Sequence, residues 1–214
     1  MSDDNVSLLR SAAKNNDVVL KFVNDVVAYA KKHSIKLRVV DEKNVDGQYA
    51  GYFSSEDPNE LAIAVKKPLE QWVSVLLHEL NHAVQNEENS ALFGQLGEGE
   101  DEFYTWVSGE MPKHFDKQAS LMKSLFIESD CEQRTVNSIV KYGLQDLINP
   151  VEYAQKANTY VTFYKYVARK RKWNAEGKTP YEVKNVWKLF PTKVELFGCP
   201  LRKKYREAFE KCMK

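Results

Sequence analysis

Cysteine is nearly absent: the 214 residues contain three, Cys131, Cys199 and Cys212, widely spaced and odd in number. That excludes a disulfide-framed secreted scaffold, and no Cys-x-x-Cys pair exists to seed a zinc ribbon. Reduced thiols in a cytoplasmic protein are the expectation. No apolar run approaches the roughly 18 residues that a spanning helix needs, so no membrane span is expected. The opening residues Met1-Ser2-Asp3-Asp4-Asn5 are acidic and lack the basic-then-apolar layout of a secretory leader. Internal repeats and low-complexity tracts are missing too. Positive charge is missing from one long stretch, since Pro68 to Pro112 contains no Lys or Arg but nine acids. Residues 1–150 hold 15 Lys and Arg against 24 Asp and Glu, a net of −9. Residues 151–214 hold 16 against 6, a net of +10. Such a split suits a basic substrate at the acidic half, nucleic acid at the basic half, or two halves that neutralise each other.

Histidine is also scarce, with four in the chain, yet two of them fall in one apolar run, Trp72 to Val84. There the order is His78-Glu79-Leu80-Asn81-His82. Residues i and i+4 of a helix sit about 40° apart on one face, so His78 and His82 can offer two imidazole nitrogens to one ion, with Glu79 beside them. Leu69, Trp72, Val73, Leu76, Leu77, Leu80, Ala83 and Val84 keep a helical period and mark a buried face. Gln71, Val75, His78, His82 and Gln85 form the neighbouring stripe. Two histidines flanking a carboxylate on such a helix suit a zinc site in which the glutamate handles the protons of an activated water.

The motif resembles that of the zincin metallopeptidases. Gln85 and Glu88 stand where the metzincin branch has glycine and histidine, so the resemblance is to the gluzincin type, which takes a third ligand from a later helix. Small phage-borne or mobile-element metallopeptidases and the ImmA/IrrE-type regulators look similar in this motif pair. The resemblance implies zinc-dependent peptide hydrolysis, with Glu79 as general base. It also implies that the strand before the helix is the edge against which a peptide substrate pairs.

Along the chain, Val6 to His33 reads as one or two helices, with Asn15-Asn16-Asp17 as break and cap. His33, near the helix end, suits the dipole and has no ligand role. Ile35–Val40, Gln48–Ser54 and Glu60–Val65 read as strands, with turns at Asp46-Gly47 and Ser55 to Asn59. Pro68 starts the helix that carries the two histidines. The acidic segment from Glu87, with Gly94, Gly97 and Gly99, reads as a loop or mobile insertion, and Phe103, Tyr104 and Trp106 could anchor it.

Asp116 to Tyr142 reads as a second long helix with Leu121, Met122, Leu125, Val136, Ile139 and Val140 on one face. Glu132 falls inside that face and Glu128 at its border, and a carboxylate among apolar residues is costly unless paired or bound to a cation. The gluzincin resemblance implies Glu128 as third ligand and Glu132, one turn on, as the residue that orients a histidine; the alternative makes Glu132 the ligand. His114 is the other candidate, as ligand or hydrogen-bond donor. Cys131 could approach the metal or serve as a small buried thiol. Tyr104, His114 and Tyr160 are candidate oxyanion donors.

Asn149-Pro150 opens a third helical region to about Trp173, whose stripe Tyr153, Ala157, Tyr160, Tyr164 and Val167 reads as packing. It ends in Arg169-Lys170-Arg171-Lys172-Trp173, a weak nucleic-acid signal. A short apolar run, Val186 to Phe190, and a basic helix from Leu201 to Met213 follow. The expected fold is α+β, mostly helical with a small mixed sheet, in one domain. Within it lie a zincin-like core at about 35–145, a helical segment at 1–34 and a basic helical extension at 146–214. The expected partner is a protein or peptide substrate, the expected cofactor one Zn2+ per chain. The alternatives are a metal-holding binding or structural protein and a protease guided to nucleic acid by its basic third. Oligomeric state has no signature here.

Overall fold

The computed structural model describes residues 3–13, 15–113, 115–175 and 178–213. His114 lies outside the described residues. The architecture is α+β and mostly helical, with one three-stranded mixed sheet. Two compact units form: Met1–Ser90 with Asn137–Ile148, and Ala91–Val136 with Asn149–Lys214.

The first unit begins with α1 (Asp3–Ala12) and α2 (Asp17–Lys32). Asn16 separates them as expected, its side chain accepting a hydrogen bond from Val19 N at 3.0 Å and so capping α2. Then come β1 (Lys36–Val40), β2 (Gly51–Ser54), β3 (Glu60–Ala64) and α3 (Leu69–Glu88). Pro68 caps α3, where its missing N–H costs nothing. The strand order is β1-β3-β2, with β1 parallel and β2 antiparallel to β3. This corrects the expected edge. The strand that precedes α3 is the central one, and β1 and β2 are the two edges. Burial explains the order, because Leu61, Ala62, Ile63 and Ala64 are all fully buried while every residue of β2 is half-buried.

α3 packs on β2 and β3, and its close approach depends on a glycine. A Cβ on Gly51 would lie 2.8 Å from Val75 Cγ1, 2.9 Å from the Ala62 carbonyl oxygen and 3.1 Å from Ile63 Cδ1. The middle contact is backbone and cannot turn aside. Gly51→Ala is therefore expected to destabilise the protein by about 1–3 kcal/mol through overpacking, read from urea unfolding midpoints. A change within about 0.5 kcal/mol would show that the strand and helix are not packed this tightly.

The second unit holds most of α4 (Ser90–Val107) and of α5 (Lys117–Lys141), with α6 (Pro150–Lys170), α7 (Lys184–Trp187) and α8 (Lys203–Cys212). α4 replaces the expected acidic loop. Its three glycines each disfavour helix by about 1 kcal/mol, which is why local composition points to a loop. Tertiary packing outweighs them: Phe103, Trp106 and Val107 join Leu121, Leu125, Tyr164 and Val167 in one core. Gly99 is buried against the Lys123 side chain, and Gly94 and Gly97 face open space. Along α5, Leu121, Leu125 and Ile139 are buried as expected. Met122 and Val140 are not, at 38% and 55% exposed, so the apolar face is narrower than the sequence pattern.

In α6, Asn149 accepts hydrogen bonds from Val151 N and Glu152 N and starts the helix, and Tyr160, Tyr164 and Val167 of the stripe pack in that core. Two cations of the basic cluster at its end are committed within the unit. Lys170 pairs with Glu210 at 2.6 Å. Arg171 donates from Nε to the Trp106 carbonyl at 2.8 Å and lies over that indole ring. Among the described residues no helix is long and apolar enough to cross a membrane. All three cysteines are buried free thiols.

Candidate metal centre

α3 places His78, Glu79 and His82 because its apolar stripe is pinned to the sheet. Trp72, Val73, Leu76 and Leu77 are fully buried, and the histidines lie on the adjoining stripe. One turn apart, their rings stand nearly perpendicular at 84°, with Nε2 atoms 3.1 Å from each other. Two nitrogens each about 2.0–2.1 Å from a tetrahedral zinc would be about 3.3 Å apart, so the pair is set close to the spacing an ion requires.

The other ring nitrogen of His82 is held as well. Nδ1 lies 2.8 Å from Gln85 Oε1, and since the amide oxygen only accepts, Nδ1 carries the proton and donates it. That leaves Nε2 as a lone pair facing His78. Burial drives the His82 pKa down to about 3, the neighbouring His78 adds to the fall, and the Gln85 hydrogen bond opposes it. At neutral pH His82 is an uncharged imidazole, the form that ligates metals, with its second nitrogen oriented by a hydrogen bond. Gln85 is thus a functional candidate that sequence reasoning placed on the stripe without a role. Its spacing of three from His82 was the available signal.

Glu79 faces the sheet. Its Oε2 accepts a hydrogen bond from Phe53 N on β2 at 3.0 Å, which joins the motif helix to the outer strand. Deeper in the helix, Asn81 donates to the Leu77 carbonyl at 2.8 Å, and Ser138 on the final turns of α5 donates to Asn81 Oδ1 at 3.4 Å. His33 takes no part here: its Nδ1 pairs with Glu87 at 2.7 Å and its ring stacks on Tyr29.

The second unit contains Glu128, Cys131 and Glu132 on α5, all buried. Glu128 hydrogen-bonds with Glu100 of α4. Burial, then the charge of Glu128, holds the Glu100 carboxyl well above the ordinary carboxylate range. Tyr164 donates to Glu100 Oε1 at 3.4 Å and exchanges hydroxyl hydrogen bonds with Tyr104 and with Tyr160, the latter at 2.9 Å. Burial first, then nearby carboxylates and phenols, raises all three tyrosines well above their usual value, so each stays a protonated donor. Glu132 is engaged differently, through the hydroxyl of Tyr153, whose pKa burial and Glu132 push upward. Glu100 was not singled out from the sequence, and Tyr164 was read there as packing alone. An acid among glycines in an expected loop carries no signal of burial.

No family model matches the chain, no curated protein matches it, and no solved structure matches it. The class to which the centre belongs therefore rests on its own chemistry.

Proposed function

We propose that the chain is a zinc-dependent peptidase of the gluzincin type. The observation that carries the proposal is the pair of imidazole Nε2 atoms converging at 3.1 Å, beside a glutamate that the outer sheet strand holds. His78 and His82 act as ligands, and an α5 side chain completes the set: Glu128 first, Glu132 as the alternative. Cys131 on the same helix also has ligating chemistry alongside the two histidines. Bound zinc would activate water and polarise the scissile carbonyl. Glu79 takes the water's proton and delivers it to the leaving amine. Protonated Tyr104 and Tyr160 are the candidate donors to the oxyanion. The three free buried thiols fit action in a reducing, cytoplasmic setting.

Metal analysis of the purified chain, with hydrolysis of an unfolded protein before and after chelation, tests the reading. About one zinc per chain and chelator-sensitive cleavage are expected. A metal-loaded chain that cleaves nothing supports a binding or structural protein instead. The third ligand is separated by substitution. Glu128→Ala is expected to weaken zinc binding far more than Glu132→Ala, which costs roughly 10–100-fold if Glu132 only orients a ligand. Cys131→Ser is expected to leave affinity close to wild type. The reverse order for the two glutamates would move the ligand by one turn, and a collapse in Cys131→Ser would assign it to the thiol.

A further inference from the structure

The two edges of the sheet are closed in different ways. On β1, Val39 N points away from β3 and donates to Asn5 Oδ1 of α1 at 2.9 Å. On β2, Ala64 N donates to the Ala50 carbonyl at 3.0 Å, and Tyr52 and Ser54 stand opposite Ala62 and Glu60. Counting by twos from Ala50, the residues bonded to β3 are Ala50, Tyr52 and Ser54. Gly51 and Phe53 therefore turn their backbone N–H and C=O outward, as the row that an incoming strand would use. Among the described residues no strand pairs with that side of β2. At Phe53 the outward N–H is met by Glu79 Oε2.

We infer that this hydrogen bond is a clasp that an extended peptide opens, so that pairing at β2 and release of the Glu79 carboxylate are one event. The inference rests on the peptidase reading, in which Glu79 is the base. One N–H supports one strong acceptor, and a peptide carbonyl arriving at the register of Phe53 competes for it with Oε2. The exchange conserves hydrogen bonds: the amide passes from carboxylate to peptide carbonyl, and the carboxylate becomes available to water. The Phe53 amide is thus a positioning group acting through Glu79. It favours extended substrates whose backbone carbonyl reaches that register over compact ones.

The test uses the full chain, isotopically labelled and kept in chelator so that nothing is cleaved. Amide hydrogen exchange at Phe53 is expected to accelerate at least about tenfold in Glu79→Ala, because loss of the acceptor exposes the donor. Exchange at Tyr52 and Ser54, held by β3, should stay as in wild type, and Glu79→Gln, which keeps an acceptor oxygen, should preserve the protection. Titration with acetyl-Thr-Val-Thr-Val-Thr-amide should then move the Phe53 amide and the Glu79 carboxyl carbon together, with one concentration dependence. In Phe53→Pro, tolerated where an edge N–H faces outward, the Glu79 carbon should start at its released position and ignore the peptide. Should that variant not fold, the Glu79→Ala exchange and the titration decide alone. Unchanged Phe53 exchange in Glu79→Ala overturns the clasp. So does a peptide that moves the amide without the carboxyl carbon, or moves neither. None of these readouts needs zinc or turnover, so failure of the peptidase reading would appear separately, as absent metal and absent cleavage.

Discussion

Glu79→Gln is expected to bind zinc like wild type, remain folded and lose peptide hydrolysis by about 10²–10⁴-fold, the range for removing a positioned general base. The substitution suits the geometry. Gln retains an oxygen that can accept from Phe53 N, so the bond between α3 and β2 survives while the basic carboxylate goes. Neither imidazole is touched, and His82 keeps its hydrogen bond to Gln85. The loss should fall on kcat, because proton transfer is a transition-state contribution and not a binding one. Metal content, urea midpoint and cleavage of an unfolded protein are the three measurements. If hydrolysis in Glu79→Gln equals wild type, the base is elsewhere. If neither form cleaves while both hold metal, the centre is structural.

The second large effect is on metal content. The double variant His78→Ala with His82→Ala is expected to retain essentially no zinc, since a site cannot hold the ion on one remaining protein ligand. It also has a stability cost apart from metal. His82 is 8% exposed, and its loss removes its hydrogen bond to Gln85 Oε1 in a buried position. A lost hydrogen bond costs about 0.5–1.5 kcal/mol, so the metal-free variant should unfold more easily than metal-free wild type. Comparing the two apo forms isolates that packing and hydrogen-bond effect from the metal's own contribution. A double variant that still carries a full equivalent of zinc would remove α3 from the site altogether.

Helix periodicity, caps and the motif were legible because they are local. The spacing of four between His78 and His82 determines that their rings share a face on any helix. Asn16 and Asn149 cap helices through hydrogen bonds that span two or three residues. The burial of Glu128 and Glu132 was likewise readable, from acids standing within an apolar period. Where sequence reading went wrong, the deciding contact was distant. α4 is helical despite Gly94, Gly97 and Gly99 because Phe103 and Trp106 reach partners on α5 and α6. Met122 and Val140 fit the period of α5 but find no neighbours to bury them.

What the sequence by itself determined is the chemistry of one helix face: two imidazoles and a carboxylate, one turn apart, on a helix that must bury its other side. It also determined three strands, and a mostly helical chain with a small sheet. Only the tertiary structure decided that β3 is central and β2 an outer strand, that Phe53 N meets Glu79, and that Glu100 hydrogen-bonds with Glu128. The physical reason is range. Dihedral preference and side-chain period act over a few residues, whereas strand order and the pairing of buried acids follow from which apolar surfaces cover one another across tens of residues.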